Sequence, residues 1–237
     1  PEELERAVAK NGKLLGLFDY EYLPYYMDRE FLKAKVPSLA DMTRKALEIL
    51  SRNENGFFIM IEGGKIDWAN HGHDPANAIW EVYEFNEAIK VALEFLEENP
   101  DTLIVITADH ETGGIGLSTG KYEISPDILK KQKVSTIVLA ELVKGKSDEE
   151  IKKIFEEYVG ISDIKPEEIE KIKKANATLI GDVISARAQI GWTTTSHSGG
   201  SVPVYAFGEG AEVFTGVYDN TDIAKKIADL AGYTLSK

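Results

Sequence analysis

Four histidines, most of them close to acidic residues, are the groups of this sequence best suited to chemistry. The segment EGGKIDWANHGHD begins with Glu62 and contains Asp67 and His71. Asp67 and His71 are four positions apart, so one helical turn would place both side chains on the same face. A carboxylate and an imidazole on one face are suited to binding a divalent metal ion.

Two further segments carry acid and imidazole groups. TADHETGG contains the adjacent pair Asp109 and His110, and TTTSHSGG contains His197. The chain has no cysteine, which excludes disulfides, thiolate metal sites and cysteine nucleophiles. Histidine and aspartate ligands without cysteine favour a catalytic zinc site, whereas an oxygen-only environment around Glu62 favours Mg²⁺.

Predicted strands deliver these groups to one edge of a sheet. Apolar runs at 57–61 and 102–107 end close to Glu62 and Asp109, and a long helical pattern over 76–99 separates them. Such crossovers usually join parallel strands, and ligands in open α/β sheets bind at the carboxyl ends of strands. Several ionisable groups at one edge would perturb one another's pKa values unless cations were present.

The remaining pattern predicts an α/β fold with a mostly parallel sheet flanked by helices. Ser38 and Asp41 have the spacing of a capping box, and Asp74 followed by Pro75 is typical of another helix start. The other predicted elements are a helix over 1–12 that Gly12 ends, strands at 14–19 and 202–208, and a helix over 220–232.

Residues 121–190 differ from the rest, because they are rich in Lys and Glu and lack strong strand patterns. Ser147 and Glu150 have the capping-box spacing there. We interpret this segment as a helical insertion or subdomain. Residues 1–120 and 191–237 would then form the α/β metal-binding core.

The composition of the chain limits the classes of partner that it could bind. The 237 residues are 43% hydrophobic and carry a formal charge of −13, which argues against nucleic acid and anionic membranes as partners. No apolar run approaches the ~18 residues that span a membrane, and no signal-peptide pattern is present. An anionic substrate would need a local positive centre. The chain starts at Pro1 rather than Met, from which we expect a processed or excised piece.

Each motif by itself has a simpler explanation. A single histidine after a strand is most often a capping or surface group. Ser196 or Ser198 beside His197 could indicate a hydrolase triad, but neither lies in a G-x-S-x-G elbow. The three tryptophans are interpreted mainly as packing residues. The conjunction of three acid or histidine clusters, each beside a predicted strand, outweighs these explanations.

The three motifs, in this order and spacing, resemble those of alkaline phosphatases. The resemblance covers about residues 14–116 and 193–232 and is weaker over 121–190, where that family often carries a crown-like insertion. It implies a metal-dependent phosphomonoester hydrolase that, in the full-length protein, acts through a phosphoserine intermediate. Small phosphate monoesters would be the substrates.

The resemblance also implies a role for each motif residue. The implied ligands are Asp67, His71 and His197 for a first zinc, Asp109 and His110 for a second zinc, and Glu62 for magnesium. His73 is a further candidate as an auxiliary ligand. Trp68 stands where some members carry a basic residue that contacts phosphate, which leaves open a preference for zinc, cobalt or magnesium.

In that family the nucleophilic serine, a shared metal-binding aspartate and the phosphate-binding arginine lie in the N-terminal half. Arg187 does not match the arginine's context. We therefore expect a C-terminal portion of an alkaline phosphatase that is complete at the first zinc site, incomplete at the other two, without a catalytic nucleophile and inactive alone.

The family resemblance implies further properties of the parent protein. It would be periplasmic or secreted, and the chain is expected to self-associate or form a homodimer. Three alternatives remain open at this point. They are another enzyme of the same superfamily (a phosphodiesterase, sulfatase or phosphoglycerate mutase), a non-catalytic metal-binding or partner-binding module, and a metal-free structural fragment.

Overall fold

A computed structural model describes residues 1–9, 13–120 and 122–235. Its α-helices in chain order are α1 (Glu2–Arg6), α2 (Leu39–Leu50), α3 (Lys65–His71), α4 (Pro75–Glu98), α5 (Pro126–Lys131), α6 (Thr136–Val143), α7 (Asp148–Tyr158), α8 (Pro166–Ile172), α9 (Ala177–Arg187) and α10 (Thr221–Leu230). Its strands are β1 (Leu103–Ile106), β2 (Glu111–Thr112), β3 (Gly116–Leu117), β4 (Ile190–Gly191), β5 (His197–Ser198) and β6 (Tyr205–Gly208). Within these ranges, no helix combines the length and apolar character that a membrane crossing requires.

Side-chain caps begin the helices where the sequence predicted them. The Ser38 hydroxyl accepts a hydrogen bond from the Asp41 backbone N–H at 3.0 Å, and the Asp41 carboxylate accepts one from the Ser38 N–H at 3.1 Å. Ser147 and Glu150 make the same reciprocal pair at the start of α7. Asp74 caps α4 and Pro75 is its first residue, so these three predicted starts are confirmed.

The chain from α5 to α9, residues 126–187, contains the largest apolar core of the described residues; we call it the helical segment. Its fully buried side chains come from α6 to α9 and the loops between them, and they include Leu139, Ile151, Phe155, Ile172 and Ile180. The rest of the described chain carries all six strands and α1 to α4 with α10, and we call it the site body.

The described strand pairs are antiparallel. β1 pairs with β6, with Leu103 opposite Gly208, while β2 pairs with β5 and β3 with β4. The mixed helix and strand content confirms the α/β class. The expectation of parallel neighbours concerned residues 57–61 and 102–107, which do not pair within the described residues, so these antiparallel pairs leave it a prediction.

Two predicted strands are absent from the described secondary structure. Residues 14–19 and 57–61 are irregular, and the predicted stop at Gly12 lies outside the described residues. In 57–61, Phe58 and Met60 are each 72% exposed while Ile59 and Ile61 are partly buried, the alternation that is typical of a strand. A strand also requires a hydrogen-bonded neighbour, and no described segment pairs with these residues.

Two buried carboxylates join the site body to the helical segment. The Asp28 carboxylate accepts a hydrogen bond from the Ser135 N–H, and that of Asp74 accepts one from the Thr136 N–H, both at 2.7 Å. Negative groups are favourable at the positive end of a helix, here the start of α6. Burial raises the pKa of Asp74 to about 6, against the opposing effect of these hydrogen bonds.

Candidate metal centre

The first two donors of the candidate site lie on α3. Asp67 and His71 are one helical turn apart, and His71 Nε2 lies 3.3 Å from Asp67 Oδ2. α3 begins directly after the glycine pair that follows Glu62 and ends at His71. The four-residue spacing thus brings both side chains to one face, as the sequence predicted.

The third donor arrives through strand pairing. His197 lies in β5, whose pairing with β2 sets it opposite Thr112. His197 Nε2 lies 3.6 Å from Asp67 Oδ1 and 3.2 Å from His71 Nε2. Among the described residues, these three side chains form the group whose ligand atoms all lie within 4.8 Å of one another.

The spacing of these donors fits a zinc ion. Zinc bonds of 2.0–2.1 Å in tetrahedral geometry place neighbouring donors roughly 3.3–3.4 Å apart. The two imidazole Nε2 atoms lie 3.2 Å apart, which is close to that value. His71 Nε2 lies 3.3 Å from Asp67 Oδ2 and His197 Nε2 lies 3.6 Å from Asp67 Oδ1, so the carboxylate is near both nitrogens through different oxygens. Three protein ligands with a fourth position free are typical of a catalytic zinc site rather than a structural one. All three side chains are between 31% and 49% exposed, so a substrate or water could reach them.

A backbone carbonyl sets the protonation pattern of His71. His71 Nδ1 lies 2.6 Å from the carbonyl oxygen of Thr195, which can only accept, so Nδ1 must be the donor. In the neutral ring the lone pair is then on Nε2, the atom that faces Asp67 and His197. Outer hydrogen bonds of this kind orient metal-binding histidines.

Thr112 is a site residue that the sequence reasoning missed. It is buried, and its hydroxyl donates to Asp67 Oδ1 at 2.5 Å while lying 3.2 Å from His110 Nδ1. It therefore holds one oxygen of the carboxylate that faces both candidate imidazoles. Its place within TADHETGG, two residues after His110, was the available signal.

The second predicted pair lies beside the first cluster. The His110 ring stacks on that of His197, with centroids 3.5 Å apart and planes 20° apart. His110 Nε2 lies 3.2 Å from the carboxylate of Asp109, whose side chain is 87% exposed. Neither residue belongs to the three-donor group, and Glu62, which is exposed, lies outside it as well.

His73 occupies a different environment from the other three histidines. It is buried, its Nδ1 lies 2.7 Å from Asp182 Oδ1, and its Nε2 lies 2.9 Å from the Thr194 carbonyl oxygen. Both nitrogens therefore face acceptors, and neither directs a lone pair at the three-donor group. Trp192 stacks flat on its ring, at 4.9 Å between centroids.

Trp68, next to Asp67, points into an aromatic group. Lys65 Nζ lies 3.9 Å from the centroid of Trp68, 4.0 Å from that of Tyr22 and 4.8 Å from that of Tyr25. Burial lowers the pKa of Lys65 to about 8, although nearby Glu81 and Asp28 act in the opposite direction. This cation–π arrangement anchors the first residue of α3.

The turn after β2 requires both of its glycines. Gly113 and Gly114 have φ values of 86° and 57°, in the left-handed region that glycine adopts without strain. A methyl group on Gly114 would lie 1.8 Å from Thr193 Oγ1. The Glu111 carboxylate accepts from the Gly114 N–H at 3.0 Å and from the Ser198 hydroxyl, which ties this turn to β5.

Comparison with known proteins identifies the family to which the chain belongs. The family model described as alkaline phosphatase matches residues 2–233. The chain belongs to the alkaline phosphatase family. The resemblance implied by the three motifs is thereby confirmed.

Similar proteins agree with this family. Alkaline phosphatase 3 of Bacillus subtilis is 35% identical in an alignment of 237 positions that covers 95% of this chain and 50% of that protein. The structure of Thermus thermophilus alkaline phosphatase superposes with a TM-score of 0.88 at 29% identity, covering 99% of this chain and 55% of that one. A TAB5 alkaline phosphatase variant with magnesium in its M3 site matches 83% of this chain and 42% of that one, with 26% identity and a TM-score of 0.53. The chain thus spans about half the length of the relatives it matches.

Proposed function

We propose that this chain supplies the first zinc site of a metal-dependent phosphomonoesterase, with Asp67, His71 and His197 as the ligands. The proximity of three donor side chains from two motifs, in an alkaline phosphatase family member, carries this proposal. When bound, zinc would act as a Lewis acid and lower the pKa of a coordinated water.

The surrounding residues prepare the donors for this role. The Thr195 carbonyl keeps the proton of His71 on Nδ1, and the Thr112 hydroxyl holds the carboxylate of Asp67 in place. The stacked rings of His110 and His197 bring the second candidate pair beside the first cluster. The chain's own groups thus orient His71 and Asp67 before any metal arrives, which reduces the cost of ordering them.

We further propose that Asp109 and His110 contribute to a second zinc site and Glu62 to a magnesium site. The magnesium held by the TAB5 relative supports the presence of a magnesium site in the family. The remaining ligands and the nucleophilic serine would lie in the part of the relatives' length that this chain does not match. The complete enzyme would then act through a phosphoserine intermediate.

The proposed substrate class is a small phosphate monoester. The chain has a formal charge of −13, so a phosphate dianion would be repelled by the protein as a whole. Divalent cations at the donor cluster would supply the local positive charge that such a substrate needs. Self-association and export of the parent protein stay predictions; light scattering of the purified chain tests the first.

Zinc titration by calorimetry tests the proposed site. The chain is expected to bind zinc tightly, and Asp67→Ala or His71→Ala is expected to abolish that tight binding. Asp219→Ala is the matched control, because Asp219 lies far along the chain and its carboxylate accepts a hydrogen bond from the Thr221 hydroxyl instead of facing the donor group. Tight binding that survives both site substitutions would contradict the proposal.

Turnover of p-nitrophenyl phosphate in the presence of Zn²⁺ and Mg²⁺ tests whether the nucleophile lies outside this chain. The 237-residue chain alone is expected to give no turnover above the metal-containing buffer, since the nucleophile is proposed to lie elsewhere. Robust metal-dependent turnover by this chain would contradict that part of the proposal while leaving the zinc site intact.

A further inference from the structure

His73 is a buried side chain that the proposed metal chemistry does not use. It lies in the turn after α3, two residues beyond His71, with a φ of 51° that few non-glycine residues adopt. Nδ1 contacts the carboxylate of Asp182 on α9, and Nε2 contacts the carbonyl of Thr194. One ring therefore joins three parts of the chain that are distant in sequence.

Packing around this ring holds it in a single orientation. Trp192 lies parallel to the ring within 1°, and its indole N–H donates to Ser185 Oγ at 2.9 Å. The Ser185 hydroxyl in turn donates to the carbonyl oxygen of His73 at 3.1 Å. The ring is thus fixed from α9 on one side and from the 192–195 loop on the other.

A glycine on α9 permits this close approach. A methyl group on Gly181 would lie 2.5 Å from the carbonyl oxygens of both Gly72 and His73, which are backbone atoms that cannot easily move away. α9 therefore lies directly against the turn that follows α3. This contact places Asp182 within hydrogen-bonding distance of the His73 ring.

The loop that His73 contacts also determines the geometry of the donor cluster. Thr194 precedes Thr195, whose carbonyl oxygen accepts from His71 Nδ1, and His197 follows two residues later. A displacement of Thr194 would therefore move the acceptor of one candidate ligand and the backbone of another. Each contact in this path is a direct hydrogen bond or a peptide connection.

We propose that His73 and Asp182 form a positioning pair that fixes the 194–197 loop and thereby the orientation of His71 and His197 toward the metal. This inference rests on the proposed zinc site. It assigns the helical segment a part in metal binding, because α9 provides Asp182. The pair acts through the loop and does not itself touch the metal.

Two substitutions at Asp182 separate loss of the acceptor from a conservative change. Asp182→Ala removes the oxygen that His73 Nδ1 contacts, whereas Asp182→Asn retains an oxygen that can accept. Changes in the outer partners of metal-binding histidines weaken metal binding by about 10–100-fold. Asp182 lies further from the ligands than such direct partners, so we expect a loss of up to about 10-fold for Asp182→Ala and substantial recovery for Asp182→Asn in zinc titrations of the full chain.

Substitution of His73 tests the other half of the pair. Asn tolerates positive φ and retains a donor for Asp182, but it cannot also reach Thr194 or stack on Trp192. We expect His73→Asn to weaken zinc binding by up to about 10-fold and to alter the visible absorption spectrum of the Co²⁺-loaded chain, which reports ligand geometry. Glu168→Gln is the control. It disrupts the ion pair between Glu168 and Arg187, and Arg187 lies on α9, the helix that also carries Asp182.

Hydrogen exchange of the metal-free chain supplies a readout that is independent of binding. Amides of residues 194–198 should exchange faster in Asp182→Ala and His73→Asn than in the unsubstituted chain or in Glu168→Gln. Unchanged loop exchange, zinc affinity and Co²⁺ spectrum, even with lower overall stability, would overturn the positioning role. Failure of the unsubstituted chain to bind zinc would instead overturn the proposed metal site, whatever the exchange of the loop shows.

Discussion

The helical segment buries apolar side chains in a continuous core, whereas the site body buries charged groups and exposes apolar ones. Phe155 and Ile151 of the helical segment are fully buried. In the site body Asp28, Asp74 and Glu81 are buried, while Phe58 is largely exposed. The helical segment therefore has the composition of a self-sufficient core.

This difference between the two regions indicates which of them should depend on packing for its stability and which should depend on ligands. Buried carboxylates lower stability unless they are paired or hydrogen-bonded, and exposed apolar side chains gain nothing from folding until another surface covers them. The site body should thus respond to metal, pH and partners. The helical segment should respond mainly to changes in packing.

The largest expected effect is a cavity in the helical core. Phe155→Ala should lower the free energy of unfolding by about 3–5 kcal/mol, because the side chain is fully buried. Phe58→Ala, the matched change at an exposed phenylalanine of the site body, should stay within about 0.5 kcal/mol. Urea unfolding followed by circular dichroism measures both. Equal losses would show that residues 57–61 are covered in solution, for example by a second copy.

Zinc should stabilise the site body specifically. At a free concentration of 100 times the Kd, a ligand that binds only the folded state adds about 2.7 kcal/mol to its stability. Hydrogen exchange should show this protection in α3 and around β2 and β5, and EDTA should reverse it. If α7 and α8 gained the same protection, the two regions would have to unfold as one cooperative unit.

Acid pH should increase the stability of the folded site body through protonation of Glu81. Burial raises the pKa of Glu81 to about 7 from 4.5, so its contribution is present below pH 4.5 and is lost as the pH rises through about 7. Glu81→Gln should therefore stabilise the protein at pH 8 relative to its effect at pH 5, by about 1–3 kcal/mol.

Glu168 of the helical segment provides the opposite case. Its hydrogen bonds with Arg187 lower the pKa of Glu168, so its contribution is present at neutral pH and is lost as the pH falls through that lowered pKa. Glu168→Gln should cost most at neutral pH and least in acid. The same pH trend for both variants in urea unfolding would contradict this contrast.

The smallest expected effects come from the two capping boxes. Ser38→Ala and Ser147→Ala should each cost about 1 kcal/mol, because each removes an acceptor for an unpaired N–H at a helix start. Thermal unfolding monitored in both regions measures them. Should Ser147→Ala shift only the helical segment's transition, the two regions would be independent folding units.

Local patterns predicted the starts of three helices and the proximity of Asp67 and His71. The starts of α2, α4 and α7 were predictable because a capping side chain and the backbone N–H that donates to it are only three residues apart. Asp67 and His71 were likewise predictable as neighbours, since helical periodicity alone sets their relation. The strand predictions at 14–19 and 57–61 were wrong for the described secondary structure, because an apolar run reveals nothing about which segment will lie beside it.

The sequence by itself determined which residues are candidates for binding metal, that one helical turn would bring Asp67 and His71 together and, through the three motifs, the family. Those properties depend on side-chain chemistry and on spacings of a few residues. Only the tertiary structure decided that β5 places His197 against Asp67, that Thr112 and the Thr195 carbonyl orient the donors, and that His73 contacts Asp182 instead of the cluster. These contacts join residues up to 130 positions apart (Asp67 and His197), so they exist only once strands pair and α9 packs against the turn after α3.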